Sequence, residues 1–145
     1  MYKCKHFDIK ELVSKAVYYK FGEFAWCFFD EDILKDLDII RESWGSPLTI
    51  NNWHSGGQYN ESGLRSNVDS IVKNKIAPYL SGHVLAKAFD IKPQNKKSKE
   101  FHTFLWNFLK TGKLKAFKRL ENGQLTPDWI HIDALRTQNG NPEIF

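Results

Sequence analysis

The sequence predicts a single α+β domain in which helices pack on a small, mainly antiparallel sheet. Three observations lead there. The first third of the chain repeats apolar residues at steps of three and four, behind two residues able to cap helices. Four later segments, 48–50, 84–91, 115–120 and 129–135, are short and strand-like. An Asn122-Gly123 turn signal lies between the last two, which makes them a hairpin with a longer loop. A chain of 145 residues is one domain by length and can bury a real core.

Each element has a local cause. Asp8 with Glu11 three residues on forms a capping box, and Ile9, Leu12, Val13, Ala16 and Val17 follow at helical spacing. This predicts a first helix that ends near Gly22. Asp30 caps a second helix through Ile33, Leu37, Ile40 and Trp44, stopped by Gly45 and Pro47. Residues 1–45 therefore read as a helical part and 47–135 as a core. Residues 51–66, "NNWHSGGQYNESGLRS", have no periodicity, and a long irregular loop inside a domain is usually functional. Residues 67–80 are expected to include another short helix. Ser81-Gly82-His83 reads as a loop, with the strand over 84–91 behind it. Ser98 is placed to cap a helix with Phe101, Phe104, Leu105, Phe108 and Leu109 on one face and Gly112 just past its end.

Composition narrows the function classes. The chain is 41% hydrophobic and 26% charged, as in ordinary globular domains, and its 14% aromatic content leaves some rings free to line a cleft. Net charge is +4, but the lysines are scattered apart from Lys96, Lys97 and Lys99 beside Pro93, a run that reads as a solvated loop. Nucleic acid is not an expected partner. No stretch approaches the ~20 apolar residues of a membrane span, so no membrane insertion is expected. The first residues lack an apolar run, which predicts synthesis in a cytoplasm without a signal peptide. Cys4 and Cys27 have no metal or redox spacing and are expected as reduced thiols. A monomer is the expected state.

The chemistry-bearing residues lie in two stretches. "SGHVLAKAFDI", residues 81–91, sets His83 seven residues before Asp90. One reading is a loop histidine followed by a strand that ends in a turn aspartate; the other is that both hold one metal ion. In "PDWIHIDAL", alternation puts Ile130, Ile132 and Ala134 on one strand face and Trp129, His131 and Asp133 on the other. Hydrolytic zinc takes three protein ligands and keeps a fourth position for water. His83, Asp90 and His131 supply such a set, and Asp128 is a nearby carboxylate able to take a proton from the attacking water. Residues seven apart in a regular strand point to opposite faces. The metal reading therefore needs His83 in the loop before its strand and Asp128, after Pro127, outside the other. His6, His102 and, in its loop, His54 read as surface or satisfied residues.

These residues resemble two motifs of the zinc D-Ala-D-Ala carboxypeptidases and the related L-alanyl-D-glutamate endopeptidases of phage endolysins. The first motif is carried by Ser81, His83, Ala88 and Asp90, with Ala86 where that family usually has glycine. The second is Asp128-Trp129-Ile130-His131, its aspartate closer to the phage branch. The resemblance spans about residues 47–135. It implies that His83, Asp90 and His131 bind Zn²⁺, that Asp128 is the general base, and that the substrate is a stem peptide of peptidoglycan in the bacterial cell wall. Arg65 in "SGLRS" is the candidate for the family's carboxylate-holding arginine. Asp133 and Ser81 are candidates for supporting the ligands from behind. The alternative is a zinc-stabilised, non-catalytic wall-binding or phage structural module.

Overall fold

In the computed structural model, which describes residues 1–145 (Asn95 by its backbone alone), the first predicted helix is two: α1 (Ile9–Leu12) and α2 (Lys15–Phe21). The capping box forms, with Glu11 accepting from the Asp8 N–H at 2.9 Å. The break follows from where the next backbone groups go. Leu12 O accepts from Leu64 N at 2.9 Å, and Val13 O accepts from the side chains of Asn51 and Trp53 at 3.0 and 3.1 Å. Those carbonyls no longer serve a helix, so Ser14 caps a new one. The exchange stitches the 51–66 loop to the helical part.

α3 (Glu31–Trp44) starts at its Asp30 cap and ends at Gly45, whose φ of +75° closes the last turn. Two aspartates on it are buried. Asp38 accepts from the Tyr2 hydroxyl at 2.7 Å and from the backbone of Lys5 and His6. Asp36 accepts from the N–H groups of Lys115, Ala116 and Phe117 at 3.0, 2.8 and 3.1 Å. Three donors that a strand over 115–120 would use are thus taken by a carboxylate, and β3 shrinks to Arg119–Leu120.

No helix forms over 67–80, contrary to expectation; the segment is a run of turns. The Glu61 carboxylate accepts from Ser70 N and Ile71 N, and Asp69 accepts from Ser66 N, so side chains hold the backbone in place of a helical ladder. α4 (Ser98–Lys110) begins at Ser98 itself, with Lys97 at the cap position and no side-chain cap bond, so Ser98 is not the cap. Among the described residues no helix is long and apolar enough to cross a membrane.

The sheet is mixed. β1 (Leu48–Thr49), β2 (Ala88–Pro93), β4 (Ile130–Asp133), β3 and β5 (Glu143–Ile144) lie in that order, antiparallel except for the β3–β5 pair. The fifth strand goes beyond the four that the sequence pattern predicts. β2 starts at Ala88 rather than 84, because residues 81–87 form a tight turn in which Ser81 O accepts from Leu85 N and Gly82 O from Lys87 N. Ala86 sits there at φ +57°, a conformation suited to glycine. Phe89, Ile91, Ile130 and Ile132 are fully buried, and α4 packs on both of their strands. A one-residue slip of β2 would expose Phe89 and Ile91, at about 1.5–3 kcal/mol each, and turn Asp90 into the core. That cost fixes the register Asp90↔His131.

Candidate metal centre

β2 and β4 bring Asp90 and His131 directly opposite each other, and the turn before β2 delivers His83 to the same point. Asp90 Oδ1 lies 2.9 Å from His131 Nδ1 and 3.3 Å from His83 Nε2, and the two ring nitrogens are 3.2 Å apart. The three ligand atoms lie within 4.8 Å of one another and can hold a metal ion. The turn removes the face problem, since His83 is outside the strand.

The far side of each ring sets its tautomer. His83 Nδ1 faces the carbonyl of Gly63 at 2.9 Å, and His131 Nε2 faces Asp133 Oδ2 at 3.3 Å. Both partners only accept, so both nitrogens carry hydrogen, an assignment that rests on the partners. In the neutral forms, His83 Nε2 and His131 Nδ1 then aim lone pairs at each other and at a carboxylate oxygen. Such an arrangement requires a cation, either a proton or a metal. Histidines that ligate metals are commonly held through the other nitrogen in this way.

The charges agree. Burial alone would raise the Asp90 pKa, but hydrogen bonds from His131 and His83 outweigh it and hold the carboxyl well below its usual range. Burial would lower that of His131, yet its bonds to Asp133 and Asp90 lift it to about 9. Asp133 is 1% exposed and clamped by Arg119 through two bonds of 3.0 and 3.1 Å. Burial opposes its ionisation, and the bonds from His131 and Arg119 prevail and lower its pKa.

Arg65, expected to face a substrate carboxylate, donates instead through Nη2 to Asp90 Oδ2 at 3.1 Å and through Nε to the Glu61 carbonyl. Ser81 accepts from Val84 N at 3.3 Å, which steadies the turn that carries His83 but does not touch the ligand atoms. Asp128 lies outside β4, as the metal reading needs, and is exposed. Among the described residues it has no hydrogen bond or ion pair with the group, whereas its neighbour Trp129 lines the adjoining cleft. Of the remaining histidines, His6 pairs with Glu42, His102 contacts the Glu121 carbonyl, and His54 lies exposed with its ring edge-on to Trp53.

A cleft of about 440 Å³ opens beside Asp90. It is lined by residues 58–62 and Arg65 of the irregular loop, by Ser70 and Ile71, and by Lys92 and Trp129. Lys92 was not singled out from the sequence. It is buried, donates to the carbonyls of Ile50 and Asp90 at 3.0 Å each and to Ser62 Oγ, and lies 4.3 Å over the Tyr59 ring. Burial pulls its pKa down to about 8, with Asp90 opposing. Its signal was available: two residues after Asp90 on a strand, it shares that residue's face. The role of the Gly63 carbonyl left no such trace. Comparison of the chain with protein-family models, with curated proteins and with solved structures finds no match.

Proposed function

We propose that this chain is a zinc peptidase that hydrolyses an amide bond in the stem peptide of bacterial peptidoglycan, of phage or prophage derivation, with the cell wall as its place of action. The observation that carries the metal half is the convergence of three lone pairs from His83, Asp90 and His131, each held from behind by an independent partner. Two imidazoles and a carboxylate without a thiol suit hydrolytic zinc. The separations of 2.9, 3.2 and 3.3 Å approach the roughly 3.3 Å between ligand atoms on a tetrahedral ion with zinc-like bond lengths. The peptidase half rests on the resemblance of the two motifs.

Zinc in such a site supplies Lewis-acid polarisation of the scissile carbonyl and makes a water more acidic. The chain's own residues divide the remaining work. Arg119 and Asp133 fix the His131 ring, Gly63 fixes His83, and Arg65 fixes Asp90. Asp128 takes the proton from the attacking water and returns one to the leaving amine, the role that the motif resemblance gives it. The cleft lined by Lys92 and Trp129 holds the peptide.

A non-catalytic, metal-stabilised wall-binding or phage structural module is the second reading. It is favoured by the exposed position of Asp128 and by the engagement of Arg65 with Asp90. Purified peptidoglycan incubated with the protein, with and without chelator, separates the two. Mass spectrometry should find released peptides that disappear with chelator and fall roughly 10²–10⁴-fold in Asp128→Asn at unchanged zinc content. Wall binding without released fragments would establish the second reading.

A further inference from the structure

Most of the exposed large apolar side chains fall in two stretches, 14–29 and 66–87, and apart from Ile71 they lie outside the metal group and its cleft. In the first, Phe24 is 64% exposed, and Phe21 and Phe24 each pack edge-on to Phe28, at 4.8 and 6.3 Å between ring centres. In the second, Val68, Ile76, Leu80 and Leu85 stand out from turns, Ile76 at 92%. Surface this apolar on a globular domain usually marks an interaction site. The stretches adjoin. Ser14, the cap of α2, donates to Asp69 at 2.7 Å, and a groove of about 310 Å³ has Phe21 and Phe28 on one side and Val84 and Leu85 on the other.

Within the two stretches basic residues outnumber acidic ones, while Glu61 bonds to Ser70 and Ile71 from outside and Asp30 and Asp32 share a hollow with Lys87. Lys15 and Lys20 lie over the Tyr19 and Phe21 rings at 5.5 and 5.7 Å, and Lys75 over Tyr79 at 5.6 Å, with Lys73 and Lys87 in the second stretch. The only acidic residues within 14–29 and 66–87 are Glu23, paired with Lys3 at 3.0 Å, and Asp69, which is buried. We infer that this face docks on an anionic lipid bilayer, the phenylalanines and aliphatic side chains entering the interface while the lysines meet the headgroups. The rings alone would also suit a base or a sugar; Val68, Ile76, Leu80 and Leu85 protruding beside them suit acyl chains, which favours a bilayer. Rings and alkyl chains at the headgroup boundary, rimmed by lysines, are what interfacial binding uses. The inference is independent of any peptidase activity.

Sedimentation with phosphatidylglycerol–phosphatidylcholine vesicles, against phosphatidylcholine alone, tests it. Wild-type protein should bind the anionic vesicles, bind the neutral ones far less, and release in high salt. Lys20→Glu and Lys75→Glu should each weaken binding about fivefold or more. The Phe24→Ser, Ile76→Ser double variant should weaken it at every salt concentration. Metal content and circular dichroism equal to wild type would show the variants folded. Equal partition to both vesicle types, no binding to either, or unchanged binding by all variants would overturn the inference. So would concentration-dependent self-association that Phe24→Ser abolishes, which would make the face a protein interface.

Discussion

Asp90 and His131 face each other across the β2–β4 pairing, Oδ1 to Nδ1 at 2.9 Å, with His83 Nε2 closing the triangle. One small electrophile fits among these three atoms, so proton and metal compete for the same place. Much of the expected behaviour follows from that competition.

In protein stripped of metal by a chelator, His131 holds the proton. Its pKa is raised to about 9 from an unfolded value near 6.5, so its stabilisation is complete below about pH 6.5 and is lost as pH rises through 9. The Asp90 pKa is depressed, so its contribution is present above about pH 4 and is lost only in acid. Between pH 6.5 and 9 the stripped protein should lose on the order of 3 kcal/mol, while zinc affinity rises as the competing proton leaves. Thermal melts across this window, with and without zinc, check both trends. A stripped protein whose Tm stays flat from pH 6.5 to 9 would refute the coupling.

Asp133→Asn keeps the size of the side chain but removes the charge that orients His131 and pairs with Arg119. Zinc affinity should fall about 10–100-fold, the usual effect of losing such an outer carboxylate. Competition against a fluorescent chelator measures it, and an unchanged affinity would mean that His131 is oriented by other contacts.

Arg65→Lys separates support of the ligand from grip on substrate. A lysine cannot donate at once to Asp90 and to the Glu61 carbonyl as the guanidinium does. The expected result is weaker metal binding. Wild-type zinc affinity with only a raised KM would instead assign Arg65 to the peptide.

Gly63→Ala should damage fold and site together. A Cβ there would lie 2.0 Å from the Leu12 carbonyl oxygen, a backbone atom held by Leu64. The strip has to move, at roughly 1–3 kcal/mol or more, and it carries the carbonyl that orients His83 with it. Urea melts and zinc titration should both shift. A shifted urea melt with an unmoved zinc titration would show that the strip can relax without disturbing His83.

The sequence by itself determined what local chemistry decides. The Asp8 capping box and the Asp30 and Gly45 ends of α3 are written in residues that bond within one turn. The alternation in 129–135 places His131 and Asp133 on one face because a strand has period two whatever surrounds it. Only the tertiary structure decided most of the remainder, and mainly because the deciding hydrogen bonds join residues far apart in the chain. Asn51 and Trp53 reach back to Val13 and break the first helix, Asp36 captures the backbone of Lys115 to Phe117, and Glu61 holds 70–71 in turns. The same holds at the metal centre. Which side of His83 meets Gly63, and that Arg65 turns to Asp90, depend on loops whose path no periodicity specifies, because their polar groups bond to whichever partner the packed core brings near.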